Sequence, residues 1–138
     1  MADVLYTAVA TARGGRQGEV VSDDGILDLM LHTPVSLGGP EGEYTNPEQL
    51  FAAGYSACFH SALKLVAAKQ KVDVEGSSIT AHVNLEAADG GFGISAKLVG
   101  SFPTLDAATA MGLMETAHTV CPYSRATKGN IVVELEVS

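Results

Sequence analysis

Basic residues are scarce in this chain: eight Lys and Arg stand against sixteen Asp and Glu, a formal charge of −8 over 138 residues. A protein that neutralises a nucleic-acid backbone needs clustered Lys and Arg, so the composition argues against nucleic acid and equally against an anionic membrane surface as partner. Long hydrophobic runs are missing too. Nowhere do 18 apolar residues follow one another, and the first eight residues have neither a basic segment nor a long apolar core. A cytoplasmic protein with no membrane association is expected. Cysteine is nearly absent, with two in the chain, and in a reducing compartment such a pair favours reactivity over a permanent staple. No Walker motif, nucleophile elbow or paired metal-ligand spacing occurs, and Gly90, Gly91, Phe92 and Gly93 form a turn without the spacing of a phosphate cradle.

What is present suits one domain over residues 1–138, long enough to bury a core without disulfides. Apolar residues make up 46% and charged ones 17%, which excludes disorder and leaves apolar surface for a subunit interface or an oily pocket. The pattern predicts strands over 4–13 and 19–22 around a glycine-rich turn at 14–18, and a third strand over 26–32. A long loop follows to Tyr44. Thr45 with Glu48 fits a capping box, and Asn46 before Pro47 fits an N-cap with proline at the first helical position. A helix over 50–71 is expected to bury Phe51, Cys58, Ala62 and Leu65 along one stripe. Strands over 78–87 and 92–102 form a second hairpin, and Asp106 caps a second helix carrying Met111, Met114, His118 and Cys121. Pro122 ends or restarts that helix, and a last strand covers 130–137. The predicted class is α+β: six strands, largely antiparallel, with two long helices on one side.

The chemistry-bearing candidates are Cys58 and Cys121, both on apolar helical stripes. Burial alone would raise a thiol's pKa and silence it, so a reactive Cys58 needs a neighbouring cation. Arg16, in the glycine-rich turn, is the basic residue best able to fold over a pocket; its bland reading is a solvated turn arginine. Glu48 reads either as a capping residue or as a carboxylate that orients Arg16 through a bidentate pair. Ten residues of helix place Glu48 roughly 15 Å from Cys58 along the axis, so one arginine serves both only if the chain bends or a second subunit supplies one member. Phe51, Phe92, Met111 and Met114 read as core filler or, alternatively, as walls of an oily substrate pocket. Cys58, His60, His118 and Cys121 could nominally bind zinc, but positions 58 and 60 point about 200° apart on a helix, so no metal is expected. Inert core thiols, and a sensor that responds to oxidants without turning over, stay open.

The run from Thr45 to Phe59, with the stretch from Val120 to Ser124, resembles the organic hydroperoxide resistance branch of the OsmC-like superfamily of thiol peroxidases. The likeness extends over residues 4–8, the Gly14-Gly15-Arg16 turn, 91–93 and 129–131, nearly the whole chain. It implies an OsmC-like fold in an intertwined homodimer with two sites at the subunit interface. It further implies a peroxidatic Cys58, a resolving Cys121, and activating residues Arg16 and Glu48. Organic hydroperoxides would be the substrates, and dihydrolipoamide or a lipoylated protein the external reductant, with no metal, flavin or haem cofactor. Arg125 stands where the resemblance leads us to expect a neutral residue. The Arg16 loop is the segment expected to move.

Overall fold

The computed structural model describes residues 2–138, which divide into two compact units at residue 50. In the first unit, β1 (Ala10–Arg13), β2 (Glu19–Ser22) and β3 (Asp28–Met30) form an antiparallel sheet in sequence order. The β1 strand begins at Ala10 rather than Val4, and β3 spans three residues rather than seven. Val4, Leu5 and Tyr6 lie 80% or more exposed, with no strand among the described residues paired to them in a ladder. After β3, Leu31 bridges to Thr45 in parallel fashion, and the long loop between them holds a short 3-10 turn over Val35–Leu37.

The helix α1 runs over Pro47–Gln70 and crosses the boundary between the units. Asn46 caps it, its Oδ1 accepting from the Gln49 N–H at 2.8 Å. The expected capping box is not formed, because the Glu48 carboxylate is engaged by Arg16. By length and composition α1 could cross a bilayer. Yet Tyr55, Phe59, Leu63 and Val66 are buried in one cluster with strand and helix residues of the second unit, as a core helix requires. That buried face differs from the predicted stripe: Leu65 is 50% exposed. Ala53, Ala57 and Ala68 lie among Gln49, Ser61 and Lys64 on the exposed side of α1, so small apolar residues blur the phase of the periodicity.

In the second unit, β4 (Ser78–Ala88) and β5 (Gly91–Ser101) pair antiparallel over their whole length. β6 (Val133–Val137) joins β5 in parallel, Ala96 opposite Val133. Among the described residues this is the one parallel pair of strands in a largely antiparallel arrangement, as expected for the class: α2 (Ala107–Val120) and α3 (Pro122–Thr127) form a crossover that carries the chain back before β6 starts. Ala96, Leu98 and Gly100 alternate on the buried face of β5. Met114 packs over Gly100 so closely that a Cβ there would lie 2.7 Å from its sulfur. Asp106 caps α2 as expected, accepting from the Thr109 N–H at 2.7 Å.

Candidate functional site

Cys121 occupies the corner between α2 and α3. Its N–H closes the last turn of α2 onto the Ala117 carbonyl at 2.8 Å, and its own carbonyl accepts the Arg125 N–H at 2.9 Å. Between those bonds its ψ is 124°, the extended value that Pro122 imposes on the residue before it. Proline therefore breaks the helix at the cysteine and turns the fully buried thiol toward α1. There it meets Cys58, half-buried at the edge of the core, with Sγ to Sγ 3.6 Å; both are free thiols. Sixty-three positions of sequence separate them.

Burial is the main influence on Cys58 and pushes its thiol up from the ordinary value; Cys121 adds to the rise, and the backbone N–H of Tyr123 opposes it. Within this unit the Cys58 sulfur lies against that of Cys121, and burial favours its protonated form.

Three side chains overlooked at the level of sequence surround the pair. Tyr123 stacks on Phe51, ring centroids 6.1 Å apart, and leans on Tyr55 at 5.7 Å. Its hydroxyl fills the space over Gly54, where a Cβ would come within 2.7 Å. The Tyr55 hydroxyl, fully buried, lies 2.8 Å from the hydroxyl of Ser124, which in turn lies 2.7 Å from Nδ1 of His118. A glycine in the middle of a long helix was the available signal, since such a residue usually permits a close approach.

His118 is held by its bond to Ser124, while His60 bonds Ser77 at 3.0 Å. No group of three His, Cys, Asp or Glu among the described residues could hold a metal. The four pocket candidates are not brought together in the single chain. Phe51 reaches the thiols' surroundings through Tyr123, Met111 is partly buried, and Met114 is wholly enclosed in the core. Phe92 is 81% exposed near the β4–β5 turn and lines a separate hollow with Ile94 and Ile131.

In the first unit, Arg16 projects from the glycine-rich turn. Gly14 has φ 84°, and a Cβ on Gly18 would strike the Arg13 carbonyl, so the tight turn requires glycine at both places. The guanidinium donates to both carboxylate oxygens of Glu48, at 2.6 and 2.8 Å. That fork holds the Glu48 carboxyl below its usual value and raises Arg16, so both stay charged.

The family pattern described as OsmC-like protein matches residues 39–136. An organic hydroperoxide resistance protein of Xanthomonas axonopodis pv. citri is 53% identical over 136 residues, covering 98% of this chain and 96% of that one. The organic hydroperoxide resistance protein OhrB of Bacillus subtilis is 48% identical, covering 96% and 98%. Among solved structures, an organic hydroperoxide resistance protein from Elizabethkingia anophelis superposes with a TM-score of 0.91 at 48% identity, over 99% of both chains. That of Bacillus subtilis OhrB does so at 0.89 and 47%, over 98% of this chain and all of its own.

Proposed function

The chain belongs to the organic hydroperoxide resistance branch of the OsmC-like family, and from that premise we propose that it is a thiol-dependent peroxidase for alkyl and lipid hydroperoxides. The observation that carries the reading is the pair of free thiols 3.6 Å apart. Cys58 as thiolate attacks the distal oxygen of the hydroperoxide; the O–O bond breaks, the alkoxide takes a proton and leaves as alcohol, and Cys58 becomes a sulfenic acid. The Cys121 sulfur then displaces that hydroxyl as water, giving the Cys58–Cys121 disulfide.

Because burial disfavours the Cys58 thiolate, the reaction needs a cation. Arg16, kept charged and aimed by Glu48, is the group we assign to it, stabilising the thiolate and then the departing oxygen. An external dithiol of the dihydrolipoamide type, free or on a lipoylated protein, reopens the disulfide by exchange. No metal or organic cofactor enters. The working form is a homodimer in the cytoplasm: Leu5, Tyr6, Ile26 and Met30 are 63 to 96% exposed on the first unit, and short strands with apolar faces open to water need a partner to cover them.

The test is consumption of tert-butyl hydroperoxide by wild type, Cys58→Ser and Cys121→Ser, with dihydrolipoamide and separately with glutathione. Turnover with dihydrolipoamide, abolished in Cys58→Ser and limited in recycling by Cys121→Ser, is the expected result. Stoichiometric oxidation of Cys58 without turnover would instead identify a redox sensor.

A further inference from the structure

The two thiols are one of two parallel links between α1 and the α2–α3 corner. Tyr55 precedes Cys58 by three residues on α1, and Ser124 follows Cys121 by three on the other side, so each pair is one helical turn from the next. The Tyr55 and Ser124 hydroxyls meet at 2.8 Å, and the cysteine sulfurs at 3.6 Å. His118, on α2 just before the corner, bonds the same Ser124 hydroxyl from the other side of the Pro122 break at 2.7 Å. Three elements thus converge on one hydroxyl whose residue is 1% exposed.

Buried polar groups joined in this way stabilise little in net terms, because their desolvation offsets most of the hydrogen-bond energy. What such a network supplies is a single arrangement. We propose that Ser124, held between Tyr55 and His118, is the positioning residue that sets the register of Cys121 against Cys58 for disulfide closure.

The sulfurs must still approach by about 1.5 Å to reach bonding distance. In the closure step the Cys121 sulfur attacks Cys58, the S–O bond of the sulfenic acid breaks, and the hydroxyl leaves with the Cys121 proton as water. The oxidising equivalents are those already taken from the hydroperoxide. A corner free to rotate about the Pro122 break would present the thiol in many orientations, and closure would slow without any change in how Cys58 meets peroxide. This role in turnover rests on the peroxidase reading; the positioning itself does not.

The variants are Ser124→Ala, Tyr55→Phe and the double substitution. Tyr55→Phe keeps the ring packed on Phe51 and Tyr123. Each protein receives one equivalent of tert-butyl hydroperoxide, is sampled over time into dimedone, and is weighed intact, so that sulfenic acid and disulfide are followed separately. In parallel, each is equilibrated in mixtures of reduced and oxidised dithiothreitol.

We expect sulfenic-acid formation to stay within about twofold of wild type while closure slows about tenfold or more in each single variant. The double variant should be no slower than the worse single one, because the residues act as a unit. The dithiothreitol ratio at half-oxidation should shift by a similar factor. Unchanged closure and unchanged dithiothreitol equilibria in the single variants would overturn the proposal, as would equal slowing of both steps, the mark of general damage. Should Ser124→Ala fail to fold, Tyr55→Phe is judged by the same criteria. A wild type that peroxide leaves unoxidised, with the dithiothreitol shift still seen, defeats the peroxidase reading and leaves the positioning role standing.

Discussion

Arg16 donates both arms of its guanidinium to Glu48, at 2.6 and 2.8 Å, across thirty-two positions of sequence. The planar fork matches the two carboxylate oxygens, so the pair fixes the direction of the guanidinium as well as its charge. Glu48→Gln keeps the shape and removes the charge. It should lower kcat/KM for tert-butyl hydroperoxide by roughly ten- to a hundredfold. Arg16→Lys should lose at least as much, because an ammonium cannot form the fork.

The same pair makes an acid-side prediction. The Glu48 carboxyl sits below its ordinary value of 4.5, first because of the hydrogen bonds from Arg16 and against the effect of burial. A depressed folded pKa means that the pair's stabilisation is complete above the unfolded value and is lost as pH falls through the folded one. The difference in urea midpoint between wild type and Glu48→Gln should therefore be present at neutral pH, persist as pH falls to the ordinary carboxylate value, and vanish only in stronger acid, once pH has dropped through the depressed folded value. A difference that persisted there would show that the substitution acts through something other than the charge.

Burial raises the Cys58 thiol, so the cation assigned to it should be visible in the titration. We expect Arg16→Ala to move the midpoint of Cys58 alkylation by iodoacetamide upward and to slow alkylation at neutral pH, measured in a Cys121→Ser background. An unchanged profile would remove Arg16 from the activation of this thiol.

Met114 and Phe92 were both candidates for a substrate pocket, and the structure separates them. Met114 is fully buried against Gly100, so Met114→Ala should cost about 2–5 kcal/mol of stability. Phe92 is 81% exposed, and Phe92→Ala should change stability by less than about 0.5 kcal/mol. Chemical denaturation of the two variants checks both figures.

The proposed homodimer can be tested at the exposed apolar residues of the first unit. Leu5→Glu and Ile26→Glu, at positions 96% and 82% exposed in the single chain, should convert dimer to monomer in sedimentation velocity and reduce activity together with assembly. Dimers that survive both substitutions would place the interface elsewhere.

Much of the fold was legible because its signals are local. Asn46 with Pro47 marks the start of α1, Asp106 the start of α2, and Pro122 the break at Cys121; each acts through bonds or sterics within four residues of chain. The hairpin of β4 and β5 shows in its alternation. Less legible was the buried face of α1, where Leu65 was expected inside and Leu63 and Val66 were found there, because alanines on both faces give its periodicity little contrast. The direction of β6 was hidden as well, since alternation identifies a strand but not the crossover that decides whether it runs parallel.

At the candidate site the division is similar. The sequence by itself determined that Cys58 would sit on a helix, that Cys121 would lie where Pro122 interrupts one, and that Glu48 would fall in the first turn of α1. Short-range geometry suffices for all three. Only the tertiary structure decided that Cys58 and Cys121 come within 3.6 Å, that Glu48 binds Arg16 instead of the helix end, and that Tyr55 and His118 share one buried hydroxyl. The thiol pair and the ion pair join segments far apart in sequence, which no local signal reports, and the buried Tyr55 and Ser124 hydroxyls bond each other because packing α1 against the α2–α3 corner removes water as a partner.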